Sequence, residues 1–373
     1  MTALKVALVN LTSGGLSGGY AKYLAALLPL IDADSRVAQL AVFAPPGVTV
    51  PGFAQVRTWA AGTLQDPHRE LRRQLAAIAP DVIFFPTARL VRLGSTPTVV
   101  MVRNMEPLTV PFAGNPWSEG LRNVARAIAA RAACRRASRV IAVSKHVETF
   151  VKERWRVPED RISVVYHGIA PVSERPASLI PSKLRQLRSG FLFTAGSIRA
   201  ARGLEDAIRA LPEVVRQHPG QSLVIAGHAD ASGRPYATRM AKLARSLGIE
   251  RAVTWAGQLT PAEMAWAYSR CDAFIVTSRA EACPNVALEA MSYGARIVST
   301  SQEPMPEFFG EAAAYYRPGD FGQLAVQLNA ILSGPADAAK RAIAGAARVA
   351  AFTWERTADN TIRELQRAAE ALA

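Results

Sequence analysis

The stretch VTWAGQLTPAEMAWAYSRCDAFIVTSRAEACPNVALEAMSYGARIVST, residues 253–300, decides the fold. Its apolar residues form short runs at Val253–Trp255, Ala273–Val276 and Arg296–Thr300. Each run is too short for a helix and is rich in β-branched or aliphatic side chains, as strands buried on both faces of a parallel sheet are. Between them, 261–269 and 284–293 carry helical spacing. Strand and helix in alternation predict a parallel sheet flanked by helices.

The same alternation runs outward. Phe191–Ala195 and Ser222–Ala226 read as strands, and 203–217, 235–247 and 320–333 as helices. A first series has strands at Val6–Asn10, Val37–Phe43, Val82–Phe85, Thr98–Val102 and Arg139–Val143, with helices over 18–30, 66–79 and 117–137. The expected fold is α/β with two Rossmann-like parallel-sheet domains facing across a cleft. Residues 1–170 form the first domain and 191–352 the second. A linker over 171–190 carries Pro171, Pro176 and Pro181, and a helix over 353–373 closes the chain. Sheets of this kind bind ligands at the carboxyl ends of their strands.

Composition agrees. With 373 residues, 50% apolar and 20% charged, the chain can bury two cores. Wholesale disorder, collagen and coiled coil are excluded. No apolar run approaches the roughly 18 residues of a membrane span. Met1 to Leu11 reads as a first strand rather than a signal peptide. Cys134, Cys271 and Cys283 show no paired spacing, which argues against a disulfide framework or zinc ribbon and for a reducing, cytoplasmic setting. The net charge of +14 is uneven, with 21 Lys+Arg against 11 Asp+Glu in residues 1–170 and 23 against 19 in the rest. Such a balance suggests anionic partners. Nucleic acid is not among those expected: no recognised motif is present, and few aromatics interleave the arginines.

Two places carry phosphate chemistry. After the first strand, LTSGGLSGGY places Gly14, Gly15, Gly18 and Gly19 before a helix, where backbone N–H groups approach an anion. The spacing is neither the dinucleotide fingerprint nor a P-loop, and a flexible turn explains it as well. In FLFTAGSIRAARGLEDAIRAL (191–211), a strand ends at Gly196, Arg199 and Arg202 follow, and Gly203 opens a helix. Two guanidiniums beside a helix N-terminus suit a diphosphate, and a pair of solvated arginines is the alternative. Further on, Glu281 and Glu289 flank the start of a helix with Pro284 in its first turn. That span suits a nucleotide sugar, with diphosphate over the N–H groups from Cys283 to Val286, a stretch that includes Pro284 and Asn285. The alternative is a cap and an exposed helix residue.

Taken in order, these segments resemble the retaining GT-B glycosyltransferases of family GT4. GSIRAARGLEDAIRAL (196–211) is similar to the family's diphosphate loop, and residues 253–300 to its most diagnostic stretch, with Glu281 and Glu289 as its E-x7-E motif. AVSKHVETFVKERWRVPEDRISVVYHGI (142–169) resembles the end of the first domain, and FTWERTADNTI (352–362) the helix that crosses back to it.

The resemblance implies sugar transfer with retention, from a nucleotide-diphosphate sugar to a glycan or lipid-linked acceptor, in cell-envelope or extracellular polysaccharide synthesis. No metal and no further cofactor is implied. Arg199 and Arg202 would neutralise the leaving diphosphate, Glu281 would hold the donor sugar and Glu289 the ribose. Gly196 belongs to the diphosphate loop, Gly257 would lie near the base, and the loop with Gly15, Gly18 and Gly19 would approach phosphate and acceptor.

Departures stand out. Where relatives carry His followed by Asp or Asn, this chain has Arg103 and Asn104, with Asn104 left to hydrogen-bond sugar or acceptor. Arg202 replaces the usual Lys, and His167 the usual Asn.

Segment 117–139 strings Arg122, Arg126, Arg131, Arg135, Arg136 and Arg139 along a helix with Trp117, Leu121, Val124 and Ile128. A basic amphipathic helix lies on anionic lipid, which would place the protein peripherally on the inner face of a membrane. One solvated and one core face is the alternative. Two rival functions remain: a GT-B sugar-nucleotide epimerase, and a non-catalytic sugar-nucleotide-binding subunit.

Overall fold

The computed structural model describes residues 3–12, 16, 18–60, 66–91, 93–110, 112, 114–170, 182–185 and 190–371. Gly14 and Gly15 of the first glycine loop, and most of the linker expected over 171–190, lie outside the described residues. The chain divides into two compact units. One comprises Met1–Asn104, Ala125–Gly168 and Phe352–Ala373, the other Met105–Val124 and Ile169–Ala351.

The first unit is built on a seven-stranded parallel sheet. Its strands are β1 (Leu4–Val9), β2 (Val37–Ala44), β3 (Val56–Thr58), β4 (Val82–Phe85), β5 (Thr98–Val102), β6 (Arg139–Ala142) and β7 (Ile162–Val164). Their order is β3-β2-β1-β4-β5-β6-β7, which reverses direction at β1 and β4. All four residues of β4 are buried, as a strand covered on both faces requires. The Trp354–Glu370 helix packs here. The Thr357 hydroxyl donates to the Tyr166 carbonyl at 2.8 Å, and Arg139 pairs with Glu364, itself 2% exposed. Gly168 permits this contact, because a Cβ there would sit 2.3 Å from the Trp354 nitrogen.

The second unit carries a six-stranded parallel sheet of order β10-β9-β8-β11-β12-β13. Its strands are β8 (Phe191–Ala195), β9 (Ser222–Ala226), β10 (Val253–Gly257), β11 (Ala273–Val276), β12 (Ile297–Thr300) and β13 (Ala313–Tyr316). A core of Ile208, Leu211, Leu223, Ile225, Val298 and Leu324 lies under the Leu204–Gln217 and Phe321–Ser333 helices. Local sequence sets the helix starts. Thr260 Oγ1 accepts the Glu263 N–H at 3.3 Å while Glu263 Oε2 accepts the Thr260 N–H at 2.8 Å, a reciprocal cap with Pro261 in the first turn. Asp320 caps the Phe321–Ser333 helix through the Gln323 N–H at 2.8 Å.

The expected α/β class and the two parallel sheets are what the structure contains. Three strands, β3, β7 and β13, were not foreseen. The first two span three residues each, too short for a period to show, and β13 is the alanine-rich AAYY. The basic helix ends at Arg136, so Arg139 is not on it but on β6. Residues 117–124 of that helix group with the second unit and 125–136 with the first.

Candidate functional site

The carboxyl edge of the second sheet is made of backbone. Three neighbouring strands end on Ala-Gly: Ala195-Gly196, Ala226-Gly227 and Ala256-Gly257. All three glycines have positive φ, at 137°, 140° and 65°. The Gly227 N–H donates to the Gly257 carbonyl at 2.8 Å and the Gly196 N–H to the Ala226 carbonyl at 3.0 Å. A Cβ on Gly227 would fall 1.8 Å from the Gly196 oxygen, so no other residue fits there. The three strand ends thus meet as close-packed backbone, with the Arg202 guanidinium against Gly196, 3.2 Å from where a Cβ would stand.

From Gly196 the chain runs through Arg199 into a single turn, Ala200–Arg202, and then Gly203 at φ 59°. This turn is fastened to the segment after β11. The Thr277 hydroxyl donates to the Arg202 carbonyl at 2.5 Å and the Arg279 N–H to the Ala201 carbonyl at 2.7 Å. Beneath, Arg279 makes two 2.7 Å hydrogen bonds to Asp206, which also accepts from the Tyr316 hydroxyl at 3.1 Å and the Gly319 N–H at 3.0 Å. Burial alone would lower the Arg279 pKa, but the Asp206 carboxylate outweighs it and the guanidinium is held charged.

On this frame Arg202 donates through Nη1 to Ser278 Oγ at 3.3 Å and to the Glu281 carboxylate. Ser278 Oγ in turn donates to Glu281 Oε1 at 2.9 Å. Arg202 and Glu281 are partly buried. Arg199 has other partners, Glu106 at 2.9 Å and Asp230 at 2.8 Å. Burial opposes its charge, yet Glu106 raises its pKa. Asp230 is oriented by the Ser232 hydroxyl at 2.7 Å and the Gly233 N–H at 2.9 Å. The two arginines expected as a matched pair are thus held by different carboxylates.

The Asn285–Ser292 helix begins one residue later than expected, with Pro284 as its cap rather than in its first turn. The donor set expected from Cys283 to Val286 is correspondingly thinner. Pro284 has no N–H, and the Asn285 N–H turns back to the Cys283 carbonyl at 3.0 Å. Glu289 is not a solvated helix residue. It is half-buried and accepts from the Tyr268 hydroxyl at 3.2 Å. Burial, and then the Glu289 charge, push the Tyr268 pKa well up, so the phenol stays a donor.

Gly196, Arg202, Gly257, Glu281 and Glu289 all belong to the second unit, as does Arg199. Gly18, Gly19 and Asn104 belong to the first, with Asn104 exposed just beyond β5. Gly18 and Gly19 open the Gly18–Asp32 helix, and a Cβ on either would meet nothing within 4 Å. Their glycine character thus has no steric cause in the fold. His167 is a packing residue, 3% exposed against Tyr23 (centroids 4.7 Å apart) and Trp354 (6.3 Å). Sequence reasoning missed Asp206, Gly227, Ser278 and Arg279. Of these only Gly227 left a signal, the repeated Ala-Gly at a strand end.

On the basic helix the large apolar residues are outside. Trp117 is 79%, Leu121 61% and Ile128 66% exposed, while Ala130, Ala133 and Cys134 face the core. The Phe112 and Trp117 rings meet tilted at 57°, centroids 5.3 Å apart. Among the described residues no helix is long and apolar enough to cross a membrane, and no three His, Cys, Asp or Glu side chains gather as a metal site.

Comparison with known proteins places two family models end to end on the chain. Glycosyltransferase Family 4 matches residues 32–172, and Glycosyl transferases group 1 matches 179–349. A glycogen synthase of Mycobacterium tuberculosis is 31% identical over 205 residues, 54% of this chain and 47% of the relative. A D-inositol 3-phosphate glycosyltransferase of Segniliparus rotundus is 29% identical over 170 residues, 45% of this chain and 37% of the relative. The chain therefore spans about half the length, or less, of these relatives. Among solved structures, Anabaena HepE in complex with UDP superposes with a TM-score of 0.74 at 18% identity, covering 98% of this chain and 100% of that one. Sucrose-phosphate synthase of Thermosynechococcus elongatus gives 0.76 at 18% identity, covering 99% and 100%. At such identity these two speak for the fold.

Proposed function

Because the chain belongs to family 4 of the GT-B glycosyltransferases, we propose that it is a retaining hexosyltransferase that moves a sugar from a nucleotide-diphosphate sugar to a hydroxyl of a glycan or lipid-linked acceptor. The observation that carries this reading is the Arg202–Ser278–Glu281 cluster at the bare glycine edge of the second sheet. It sets a fixed cation against the Gly196 backbone at the carboxyl edge of the sheet, with an anchored carboxylate for sugar hydroxyls.

In the step proposed, the bond from the sugar C1 to the diphosphate oxygen breaks, and its electron pair leaves with the diphosphate. The acceptor oxygen forms its bond to C1 on the same face, and its proton passes to the departing phosphate oxygen. Arg202 stabilises the charge that develops there. Arg199 takes the same duty by exchanging Glu106 and Asp230 for phosphate. Glu281 holds the donor sugar, Glu289 the ribose, and the backbone at Gly257 borders the base. Asn104 serves sugar or acceptor from the first unit. A covalent glycosyl-enzyme is disfavoured: a retaining pair needs carboxylates about 5 Å apart, and Glu281 precedes the Asn285–Ser292 helix while Glu289 lies past its first turn.

Anabaena HepE, which shares the fold, is solved with UDP and with UDP and glucose, which makes a uridine sugar the first donor to try. Exposed Trp117, Leu121 and Ile128 among arginines support peripheral binding to an anionic membrane, and with it a lipid-linked acceptor in envelope or extracellular polysaccharide synthesis. One observation favours a second reading, a non-catalytic binding subunit: Arg103 stands where a histidine is usual and lies stacked on Tyr20. Incubation with UDP-glucose and an acceptor panel, followed by NMR of the product, separates the two. A new α-linkage from an α-donor supports the proposal. An inverted product, or donor binding without transfer to any acceptor, counts against it.

A further inference from the structure

The first sheet has its own reversal of strand order, between β1 and β4, and a crevice beyond the strand ends is expected at such a point. Leu8 lies opposite Phe84 and Phe84 opposite Val99, so the chain leaves β1, β4 and β5 at one edge. Asn10 is fully buried there, its Oδ1 accepting the Thr12 N–H at 3.0 Å and the Tyr20 hydroxyl at 3.2 Å. The Tyr20 ring is thereby fixed, and the Arg103 guanidinium lies over it, Cζ 3.8 Å from the centroid. Arg103 Nε is buried and has no acceptor among the described residues; the same is true of Thr87 Oγ1, just beyond β4. Arg89 arrives from the same loop, with Nη1 on the Leu11 carbonyl at 3.2 Å.

No carboxylate pairs with Arg103 or Arg89 among the described residues. Burial lowers the Arg103 pKa; Tyr20 and Tyr23 offset part of that, and the Arg89 charge adds a smaller lowering. Five other partly buried arginines each have a carboxylate: Arg36 with Asp34, Arg139 with Glu364, Arg199 with Glu106, Arg202 with Glu281 and Arg279 with Asp206. The Gly18–Asp32 helix starts at this edge with no acidic residue in its first turn. The orphaned Arg103 Nε, the Thr87 hydroxyl and the helix start share one unmet need, an anion, and exposed Arg89 adds a second cation beside them.

We infer that this edge of the first unit binds a phosphate monoester carried by the acceptor substrate, with Arg103 and Arg89 forked on its oxygens and Thr87 donating a third hydrogen bond. Donors from two strand ends on separate side chains match a tetrahedral group with three oxygens better than a planar carboxylate with two. The word acceptor rests on the transferase reading, whereas the anion site stands on its own geometry.

The test is calorimetry on the full chain, with and without saturating UDP. The probes are glucose 6-phosphate, glucose, glucuronate, and phosphatidylcholine vesicles with and without phosphatidate. Glucose 6-phosphate is expected to bind beside UDP, at least about tenfold tighter than glucose or glucuronate. Arg103→Gln and Arg89→Gln each remove that advantage, Arg103→Lys restores part of it, and UDP affinity stays at the wild-type value in all three. Arg89 is exposed, so its variant tests the site without disturbing the core. If phosphatidate vesicles rather than the soluble ester show the Arg89 dependence, the phosphate is lipid-borne. Equal binding of glucuronate, displacement of the ester by UDP, or indifference to both substitutions overturns the inference. Failure of the wild type to bind UDP counts against the uridine-donor reading instead and leaves the phosphate result intact.

Discussion

His167 makes acid a specific threat to the first unit. The imidazole is 3% exposed between Tyr23 and Trp354, and burial, with a smaller contribution from the Arg103 charge, lowers its pKa from 6.5 to about 3. In the unfolded chain it titrates near 6.5. Between those values the unfolded state binds the extra proton, so stability falls as pH falls through that window. At pH 5 the loss from this residue is about 2 kcal/mol, rising toward about 5 kcal/mol near pH 3. For a unit of this size about 2 kcal/mol corresponds to roughly 4–8 °C in melting temperature. The assay is urea unfolding of wild type and His167→Asn from pH 7.5 to 5, followed by tryptophan fluorescence, since Trp354 adjoins the site. The difference between the two proteins should shrink or reverse toward pH 5, because the variant loses packing but has no imidazole whose protonation destabilises it. A difference that stays constant across the range would refute the reasoning, and with it the buried neutral imidazole.

Other substitutions probe the second unit and the basic helix. Gly227→Ala brings a Cβ to 1.8 Å from the Gly196 oxygen at a φ of 140°, and is expected to cost about 2–4 kcal/mol in denaturant unfolding and to weaken nucleotide binding with it. Asp206→Ala removes both short bonds to the Arg279 guanidinium and leaves it only Glu205 at 3.5 Å, for a loss of about 3 kcal/mol, and should loosen the Ala200–Arg202 turn; an unchanged melting temperature contradicts this. Trp117→Ser with Leu121→Ser should abolish sedimentation with anionic vesicles while leaving nucleotide binding intact. Equal binding of wild type to neutral vesicles would remove the electrostatic part of the membrane reading.

The strand–helix alternation was legible because parallel strands buried on both faces leave compact apolar runs, and because Thr260-Pro261 and Asp320 announce their helices locally. Short edge strands carried no such signal, with Val56–Thr58 and Ile162–Val164 placed only by their neighbours. The candidate site was legible where chemistry sits in local motifs, as with Arg202, Glu281 and Glu289. It was not legible where partners are remote. Arg279 meets Asp206 across 73 positions and Arg199 meets Glu106 across 93, pairings no local spacing encodes. On the basic helix the sequence left two readings open, an apolar face for lipid or one for the core; in the structure Ala130, Ala133 and Cys134 are buried and Trp117, Leu121 and Ile128 lie outside.

The most direct test of the account is calorimetric binding of UDP-, GDP-, ADP- and dTDP-sugars to wild type, Arg202→Ala and Glu289→Ala. The account predicts that one nucleotide family binds the wild type. Arg202→Ala should lose the diphosphate contribution and Glu289→Ala the ribose contribution, each weakening binding by about tenfold or more. Nucleotide binding left unchanged by both substitutions would contradict the placement of the donor on the second sheet.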